Sequence, residues 1–279
     1  MTATRDSASD RHFRSFCYVF ITILLLFVMY PLLYVFSASV SDPAMVASGK
    51  VILLPKGFTL EGYRRVFQDK NILTGYANTI FYTVVGTLIN LITTVPAGYA
   101  LARRTLPGRR LLTVYFMIPM YFSGGLIPTF LLVNQIGLYN TRAIMVLIYA
   151  FNMYYCIICR TFFDSMPKEM EEAAIIDGCT PFQTFFRVIL PLSKALIGVM
   201  VLFFAVEQWN TYFAAMIYLR DQDKYPLQLV LRKILVLEQT SAEMLSNAII
   251  VVSSLPVLII YPFVQKYFEQ GVMIGSVKG

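Results

Sequence analysis

The sequence predicts an all-α, polytopic membrane protein with six transmembrane helices. Hydrophobic residues make up 57% of its 279 residues and charged residues only 14%, and the mean hydropathy is +0.65. An average soluble domain carries about 25% charged residues, so this chain has too little charge to cover a soluble globule. Long apolar runs alternate with short segments that hold the basic residues, as in membrane proteins. This composition excludes most cytosolic enzymes, disordered proteins and coiled coils.

Six apolar stretches are long enough to cross a membrane, because a bilayer core of about 30 Å requires roughly 20 apolar residues in a helix. They cover residues 16–36, 77–101, 111–133, 143–163, 192–218 and 246–268. The net charge of +7 is divided among the segments between them, so it does not indicate a nucleic-acid partner.

The first stretch has one alternative interpretation. Arg11 and Arg14 precede it, and small residues at 37–39 offer a cleavage pattern, as in a signal peptide. Its apolar run is longer than the usual 7–15 residues of a signal peptide's apolar region. A retained first helix after a cytoplasmic tail, residues 1–15, is therefore favoured.

The orientation of the spans follows from the charges of the short loops. Segment 103–110 holds four arginines, and the N-terminal tail holds three more, whereas the loop before span four carries only Arg142. Positive charge favours the cytoplasmic side. Both termini, including the tail 269–279, and the loops after spans two and four are therefore expected in the cytoplasm.

The loop 37–76 is then extracytoplasmic and precedes the core domain, residues 77–268. Thr59 can cap a short helix in this loop, and Glu61 falls in its first turn. We interpret this element as an amphipathic helix at the membrane interface.

The cytoplasmic loop 164–191 is longer than a connector requires. Glutamates in its first half and Gly178 after them predict a helix that Asp164 or Ser165 caps. Thr180 and the proline after it predict a second short helix, which ends at Pro191. Two helices joined by a glycine elbow would form a rigid projection.

Nothing in the sequence indicates catalysis by this chain. No P-loop, HExxH, GxSxG or GxGxxG pattern is present, so the chain is not expected to bind ATP by itself. Cys156 and Cys159 form an isolated CxxC within span four, and the only histidine, His12, lies in the N-terminal tail. Packing is the favoured role of this pair, and no metal or cofactor is expected in this chain.

Span five carries the clearest acidic group inside a predicted span. A carboxylate in hydrocarbon costs several kcal/mol, so Glu207 is expected to face the bundle interior or an aqueous path. Helical spacing predicts one shared face for Phe203, Glu207, Asn210 and Ala214. Such a face suits a polar, non-ionic solute such as a sugar, but a structural hydrogen bond between helices is an equal alternative. The candidate path residues are Asn152, Tyr155, Glu207, Trp209, Asn210 and Tyr212.

Span three contains residues that break helices, namely Pro119, Gly124, Gly125 and Pro128. Breaks of this kind often line a pathway or gate, although a proline-kinked packing helix is the alternative.

The cytoplasmic loop 164–191 resembles the EAA loop, EAA-x3-G-x9-I-x-LP, of importer permeases in the ABC transporter family. The residues that carry the resemblance are Glu172-Ala173-Ala174, Asp177, Gly178, Val188 and Leu190-Pro191. Val188 replaces the usual isoleucine. The spacing, the cytoplasmic side and the position between spans four and five agree with the family.

Other segments narrow the resemblance to carbohydrate uptake. Residues 58–63, 136–141 and 209–210 are similar to the second, shorter permease of maltose-type systems, and residues 122–128 to a subgroup linked to complex oligosaccharide or polysaccharide-fragment uptake. The resemblance implies a type I ABC importer transmembrane domain in a bacterial cytoplasmic membrane. It also implies a homologous second permease, two ATPase subunits that hold ATP and Mg²⁺, and an extracytoplasmic solute-binding protein.

The resemblance further implies that a coupling helix docks in a groove of an ATPase subunit. The candidate coupling residues are Glu171, Glu172, Ala173, Ala174, Asp177, Gly178, Leu190 and Pro191. A permease of the same type for a non-carbohydrate solute is the first alternative. An ion-driven secondary transporter is less favoured, since it would require several intramembrane acids. A membrane-embedded enzyme would require convergent acid, base or metal groups, which the sequence lacks.

Overall fold

The structure is a computed structural model that describes residues 8–237, 247–259, 261–262 and 265. Every regular element in these residues is a helix, which confirms the predicted all-α class. The C-terminal tail, 269–279, and part of the predicted sixth span lie outside the described residues. The chain divides into two compact units, residues 1–69 with 231–254, and residues 70–230 with 255–279.

The first unit begins with α1, Ala8–Ser39, a single apolar helix whose side chains are mostly exposed. The small residues at 37–39 are helical and buried, rather than forming an accessible cleavage segment. Two short helices follow, α2 (Pro43–Ala47) and α3 (Glu61–Gln68). The N-cap position of α3 is Leu60, so Thr59 does not cap this helix as predicted. The Thr59 hydroxyl instead accepts the N–H of Glu61, two residues on, in a local turn.

The second unit is built around α4, Lys70–Ala102, which packs against the helices that precede and follow loop 164–191. The remaining helices up to that loop are α5 (Arg109–Tyr121), α6 (Leu126–Gln135), α7 (Arg142–Leu147) and α8 (Met153–Asp164). The loop contains α9 (Glu169–Ile176), α10 (Pro181–Thr184), a π-helical segment (Phe185–Ile189) and α11 (Leu190–Leu192). The chain continues through α12 (Lys194–Trp209), α13 (Phe213–Tyr218) and a 3₁₀ turn (Gln222–Lys224). The last two helices, α14 (Leu227–Leu237) and α15 (Asn247–Ile259), each contain residues of both units.

Among the described residues, α1 and α4 are long and apolar enough to cross a membrane alone. The pair α5 and α6 qualifies as a broken span, bent by 110°. This bend lies at Gly124 and Gly125, and Gly125 has a left-handed φ of +87°, which glycine adopts without steric penalty.

Spans four and five are also broken, so the prediction that each is one continuous helix is wrong. The Asn152 side chain accepts the N–H of Tyr154 and starts a new helix after an irregular segment. In span five, the Asn210 side chain donates to the carbonyl of Val206 and ends α12. Ala214 therefore lies on a separate helix and does not extend the face of Glu207.

One core joins α4, α8, the π-helical segment and α12. The helices α4 and α8 approach so closely at Gly98 that a Cβ there would lie 2.4 Å from the Cβ of Cys159. Cys156 and Cys159 are both fully buried in this region, consistent with the predicted packing role. No group of three or more His, Cys, Asp or Glu side chains able to hold a metal occurs in the described part of the chain.

Candidate functional site

Two groups of polar contacts, which we call the polar layers, lie near opposite ends of α4, one at Asn78 and one at Tyr99. Near its start, the Asn78 side chain donates to the carbonyl of Asp223, at 2.6 Å. Near its end, the Tyr99 hydroxyl donates to the carboxylate of Glu171. The 21 positions from Asn78 to Tyr99 correspond to about 30 Å at 1.5 Å per residue, the thickness of a bilayer core. Each layer joins loops that the charge pattern places on one side of the membrane.

The glycine elbow has the geometry of a Schellman motif. Gly178 has a φ of +78°, its N–H donates to the carbonyl of Ile175, and the N–H of Cys179 donates to the carbonyl of Ala174. A Cβ at this glycine would meet no atom within 4 Å. Backbone conformation, rather than crowding, therefore requires glycine at the elbow.

The second helix of the loop begins as predicted and ends differently. Thr180 and Gln183 form a reciprocal capping box. The helix continues through a π-helical turn and through Pro191 to Leu192, and an 82° bend then leads into α12. Pro191 therefore does not end the helix as predicted. It follows directly on the π-turn, where the N–H of Leu190 already bonds five residues back, and irregular turns of this kind tolerate a missing donor.

The first helix of the loop also begins later than predicted, at Glu169, and neither Asp164 nor Ser165 caps it. The preceding helix continues to Asp164, because the carboxylate pairs there with Arg109 at 3.2 Å and Arg160 at 3.6 Å. This ion-pair cluster joins the arginine-rich loop 103–110 to the end of α8.

The helix α9 is joined to α4 by Glu171, the residue before Glu172-Ala173-Ala174. The carboxylate accepts from Tyr99 and pairs with Arg103 at 3.4 Å, and the Arg103 guanidinium lies 5.7 Å from the centre of the Tyr99 ring. Ala174 is buried, whereas Glu172 and Ala173 are exposed. A cleft of about 340 Å³ lies between the loop that contains Arg103 and α9, with both cationic and acidic side chains in its walls.

Large apolar side chains protrude from the projection, and the sequence pattern did not single them out. Ile176 is 85% exposed and Phe182 72% exposed. The Phe182 ring lies 4.4 Å from that of Phe186, centre to centre. We call Ile176, Phe182 and Phe186 the apolar tip. Other apolar side chains of the projection, such as Ile175, are also exposed. Exposed apolar side chains that lie together indicate a protein-binding surface.

The structure brings together only some of the candidate path residues. The Glu207 carboxylate forms a hydrogen bond with the Tyr155 hydroxyl and interacts electrostatically with the Tyr149 hydroxyl. Tyr155 also stacks on Phe203, with ring centres 5.8 Å apart. Sequence analysis did not identify Tyr149, which lies in the break that was predicted to be helix.

The other candidate path residues make local contacts or are exposed. Asn152 and Asn210 bond to helix ends. Trp209 is buried and makes an edge contact with Tyr76, and Tyr212 is exposed. The contacts therefore place Glu207 and Tyr155 in one polar cluster, and a substrate path that includes the other candidates stays a prediction.

Comparison with known proteins gives one consistent result. The family "Binding-protein-dependent transport system inner membrane component" matches residues 72–274. Protein LplC of Bacillus subtilis is 41% identical, with 89% of each chain covered. The polygalacturonan/rhamnogalacturonan transport system permease protein YtcP of the same organism is 38% identical, with 97% of this chain and 99% of that protein covered. One chain of the crystal structure of a bacterial ABC transporter involved in the import of the acidic polysaccharide alginate superposes with a TM-score of 0.88 at 39% identity. It covers 95% of this chain and 100% of that chain.

Proposed function

This chain belongs to the family of binding-protein-dependent transport system inner membrane components, and from that premise we propose its place in a complete importer. It is a membrane-spanning permease subunit of an ATP-driven ABC importer in the bacterial cytoplasmic membrane. Its cargo is a sugar or oligosaccharide that a solute-binding protein delivers. The chain forms part of the passage for the solute and undergoes the conformational change that moves the solute, and partner subunits hydrolyse ATP.

The substrate class is an oligosaccharide derived from a complex polysaccharide. Relatives named for polygalacturonan, rhamnogalacturonan and alginate transport support this class, as does the resemblance of residues 122–128. Neither a non-carbohydrate solute nor an ion gradient finds comparable support. Glu207 is the one clear acid inside a predicted span of the described chain, whereas ion-coupled transporters use several.

The apolar tip carries the proposal for coupling. A Schellman turn and a capping box make the projection rigid, and two of the tip side chains are more than two-thirds exposed. A rigid helix that enters a groove of an ATPase subunit can transmit closure of that subunit as a rigid-body movement. The movement would reach α4 through Glu171, which contacts both Tyr99 and Arg103.

The proposed assembly contains a homologous second permease and two ATPase subunits with ATP and Mg²⁺. The arginine-rich loop, the coupling projection and both termini face the cytoplasm, in keeping with the positive-inside rule. The helix α5 has no buried residue in this chain alone, which fits a surface covered by lipid or by the second permease.

The test is affinity purification of the tagged chain from solubilised native membranes, with mass spectrometry of the bound proteins. Recovery of a second permease, an ATPase and a solute-binding protein is expected. Uptake of candidate oligosaccharides would then be measured in liposomes that contain the purified complex and its binding protein. Recovery of the chain alone, with ATP-independent and ion-driven uptake, would refute the importer.

Matched variants test the coupling surface separately. Phe182→Asp is expected to reduce the recovery of the ATPase but not that of the second permease, because a charge in an apolar groove is unfavourable. Phe58 is also 72% exposed but lies in the loop 37–76, so Phe58→Asp is the control. Equal ATPase recovery with the two variants would contradict the proposed role of the apolar tip.

A further inference from the structure

Asn140 lies in the turn before α7 and has an unusual backbone conformation. Its φ is +58°, in the left-handed region. Among the described residues, it is the only one other than glycine with a positive φ. Asparagine tolerates this region better than most residues, but the conformation is still disfavoured. Such a residue persists where its surroundings over-determine it.

Asn140 bonds to one distant segment through every polar group that it has. Its N–H donates to the carbonyl of Tyr218 at 2.8 Å, and its carbonyl accepts from Nζ of Lys224 at 2.9 Å. Its side-chain oxygen accepts the N–H groups of Arg220 and Asp221, at 3.0 and 3.1 Å. Its side-chain nitrogen donates to the carboxylate of Asp221 at 2.8 Å. These contacts connect positions about 80 residues apart in the sequence.

The segment that Asn140 binds, residues 219–225, is fixed from the other side by α4. Asn78 donates to the carbonyl of Tyr225 at 3.1 Å, and the Tyr82 hydroxyl donates to that of Lys224 at 2.8 Å. We call this segment the clamped loop. It has only one 3₁₀ turn of regular structure, so these side chains must supply most of its order.

The outer surface of the clamped loop is polar and exposed. Its exposed residues are Arg220, Asp221, Gln222 and Asp223. It lies at the end of α4 away from the coupling projection, on the side where a solute-binding protein would arrive. Mixed charges on a fixed backbone can orient a partner at first contact.

We propose that Asn140 is a positioning residue that holds the clamped loop in the conformation that the solute-binding protein contacts. This inference rests on the proposed function. A loop that is already ordered loses little conformational freedom on binding, whereas a loose loop must be ordered at the expense of affinity. Asparagine suits the position because it tolerates left-handed φ and carries both a donor and two acceptor sites.

The variant Asn140→Gly separates the contribution of the side-chain hydrogen bonds of Asn140 from that of its backbone hydrogen bonds. Glycine adopts a φ of +58° without steric penalty, so the two backbone bonds remain possible while the side-chain bonds are lost. Asn140→Asp retains an acceptor for the N–H groups of Arg220 and Asp221 but loses the donor to the Asp221 carboxylate. Asn134→Ala, at an exposed asparagine in the last turn of α6, is the control.

Order of the loop is measured first, by limited trypsin digestion of the assembled importer in lipid nanodiscs. Arg220 and Lys224 provide cleavage sites inside the clamped loop, and exposed Lys50 provides an internal reference. Cleavage at the loop relative to Lys50 is expected to rise about tenfold in Asn140→Gly, which corresponds to about 1.4 kcal/mol. It is expected to rise in Asn140→Asp as well, because that variant places a second carboxylate against that of Asp221. Asn134→Ala is expected to leave it unchanged. An unchanged loop cleavage rate in Asn140→Gly would overturn the proposal.

Positioning is measured second, from ATP hydrolysis by the same nanodiscs titrated with the co-purified solute-binding protein. The half-saturating concentration is expected to rise about tenfold in Asn140→Gly, while the rate at saturation stays within about twofold. An unchanged half-saturating concentration, or a fall only in the saturated rate, would assign Asn140 a purely structural role and overturn the proposal. If wild-type nanodiscs show no stimulation by the binding protein, the proposed function itself fails.

Discussion

Substitution of Gly98 by alanine should destabilise the permease strongly, because this glycine sets the distance between α4 and α8. An added Cβ would lie 2.4 Å from the Cβ of Cys159 and 3.1 Å from both the nitrogen of Arg160 and the carbonyl oxygen of Cys156. Carbon atoms in contact normally lie about 3.5–4.0 Å apart. None of the three atoms is the free end of a flexible side chain, so the helices would have to separate by more than about 1 Å.

The expected loss of stability is at the upper end of overpacking effects, about 1–3 kcal/mol. At roughly 2–4 °C per kcal/mol for a chain of this size, a loss of about 3 kcal/mol corresponds to a decrease of roughly 6–12 °C in the unfolding temperature. The buried thiols of Cys156 and Cys159 allow a direct assay, since a maleimide dye labels them only when the helices open. The half-buried thiols at Cys17 and Cys179 should first be replaced by serine.

Gly124→Ala is the matched control, because a Cβ there would meet no atom within 4 Å. It is expected to change stability by less than about 0.5 kcal/mol. The double variant Gly98→Ala with Cys159→Gly removes the closest contact and should recover part of the loss, with Cys156 as the reporter. Identical labelling temperatures for Gly98→Ala and Gly124→Ala would refute the close packing of α4 and α8.

Three further predictions concern the polar layers and the membrane interior. Arg103→Ala should reduce the ATP hydrolysis that the binding protein stimulates by about two- to fivefold, because the partly buried ion pair with Glu171 is lost. Arg104→Ala, at an exposed arginine, is the control. Equal effects of the two variants would contradict a coupling role for the Arg103–Glu171 pair. Glu207→Ala should lower oligosaccharide uptake by proteoliposomes about tenfold. Glu207→Gln should retain more uptake, because its side-chain oxygen can still accept a hydrogen bond. Full uptake by the alanine variant would show that the carboxylate is dispensable. Hydrogen bonds from Lys224 and then Asn140 hold the pKa of Asp221 below its usual value. The ionised carboxylate therefore stabilises the clamped loop at any pH above the usual aspartate pKa. This stabilisation is lost only as the pH falls through the lowered pKa of the folded state. Amide hydrogen exchange of the clamped loop, normalised to intrinsic rates, should therefore be equal at pH 7 and pH 5, and increased exchange at pH 5 would contradict this.

The sequence determined features that depend on local chemistry. Hydrophobic length marked the long helices α1 and α4, and the glycine pair marked the bend between α5 and α6, since only residues near each other in the chain are involved. The Schellman elbow at Gly178 and the capping box at Thr180 were predictable for the same reason. In loop 164–191 the elbow and the start of the second helix were therefore predictable, whereas the start of the first helix and the end of the second were not.

The breaks in spans four and five escaped prediction although their causes are local. Hydrophobic residues continue through the break in span four up to Asn152, so hydropathy gives no signal there, whereas the break in span five falls in the polar run 207–211, which we interpreted as part of a path. The Asn152 side chain bonds to the N–H of Tyr154, a group that a continuous helix would use, and whether such a bond replaces a helical one depends on the surrounding packing. The Val206 carbonyl keeps its helical bond from the N–H of Asn210 and accepts the Asn210 side chain in addition.

Only the tertiary structure decided which distant groups meet. The arginines of loop 103–110 indicated orientation by their charge, but folding alone places Arg103 on Glu171 and Arg109 on Asp164. Likewise, nothing near Asn140 in the sequence indicates a partner 80 residues later. A local pattern determines hydrophobicity, charge and turn conformation, whereas the choice of a partner requires two segments to be brought to the same end of the helix bundle by the packing of the whole chain.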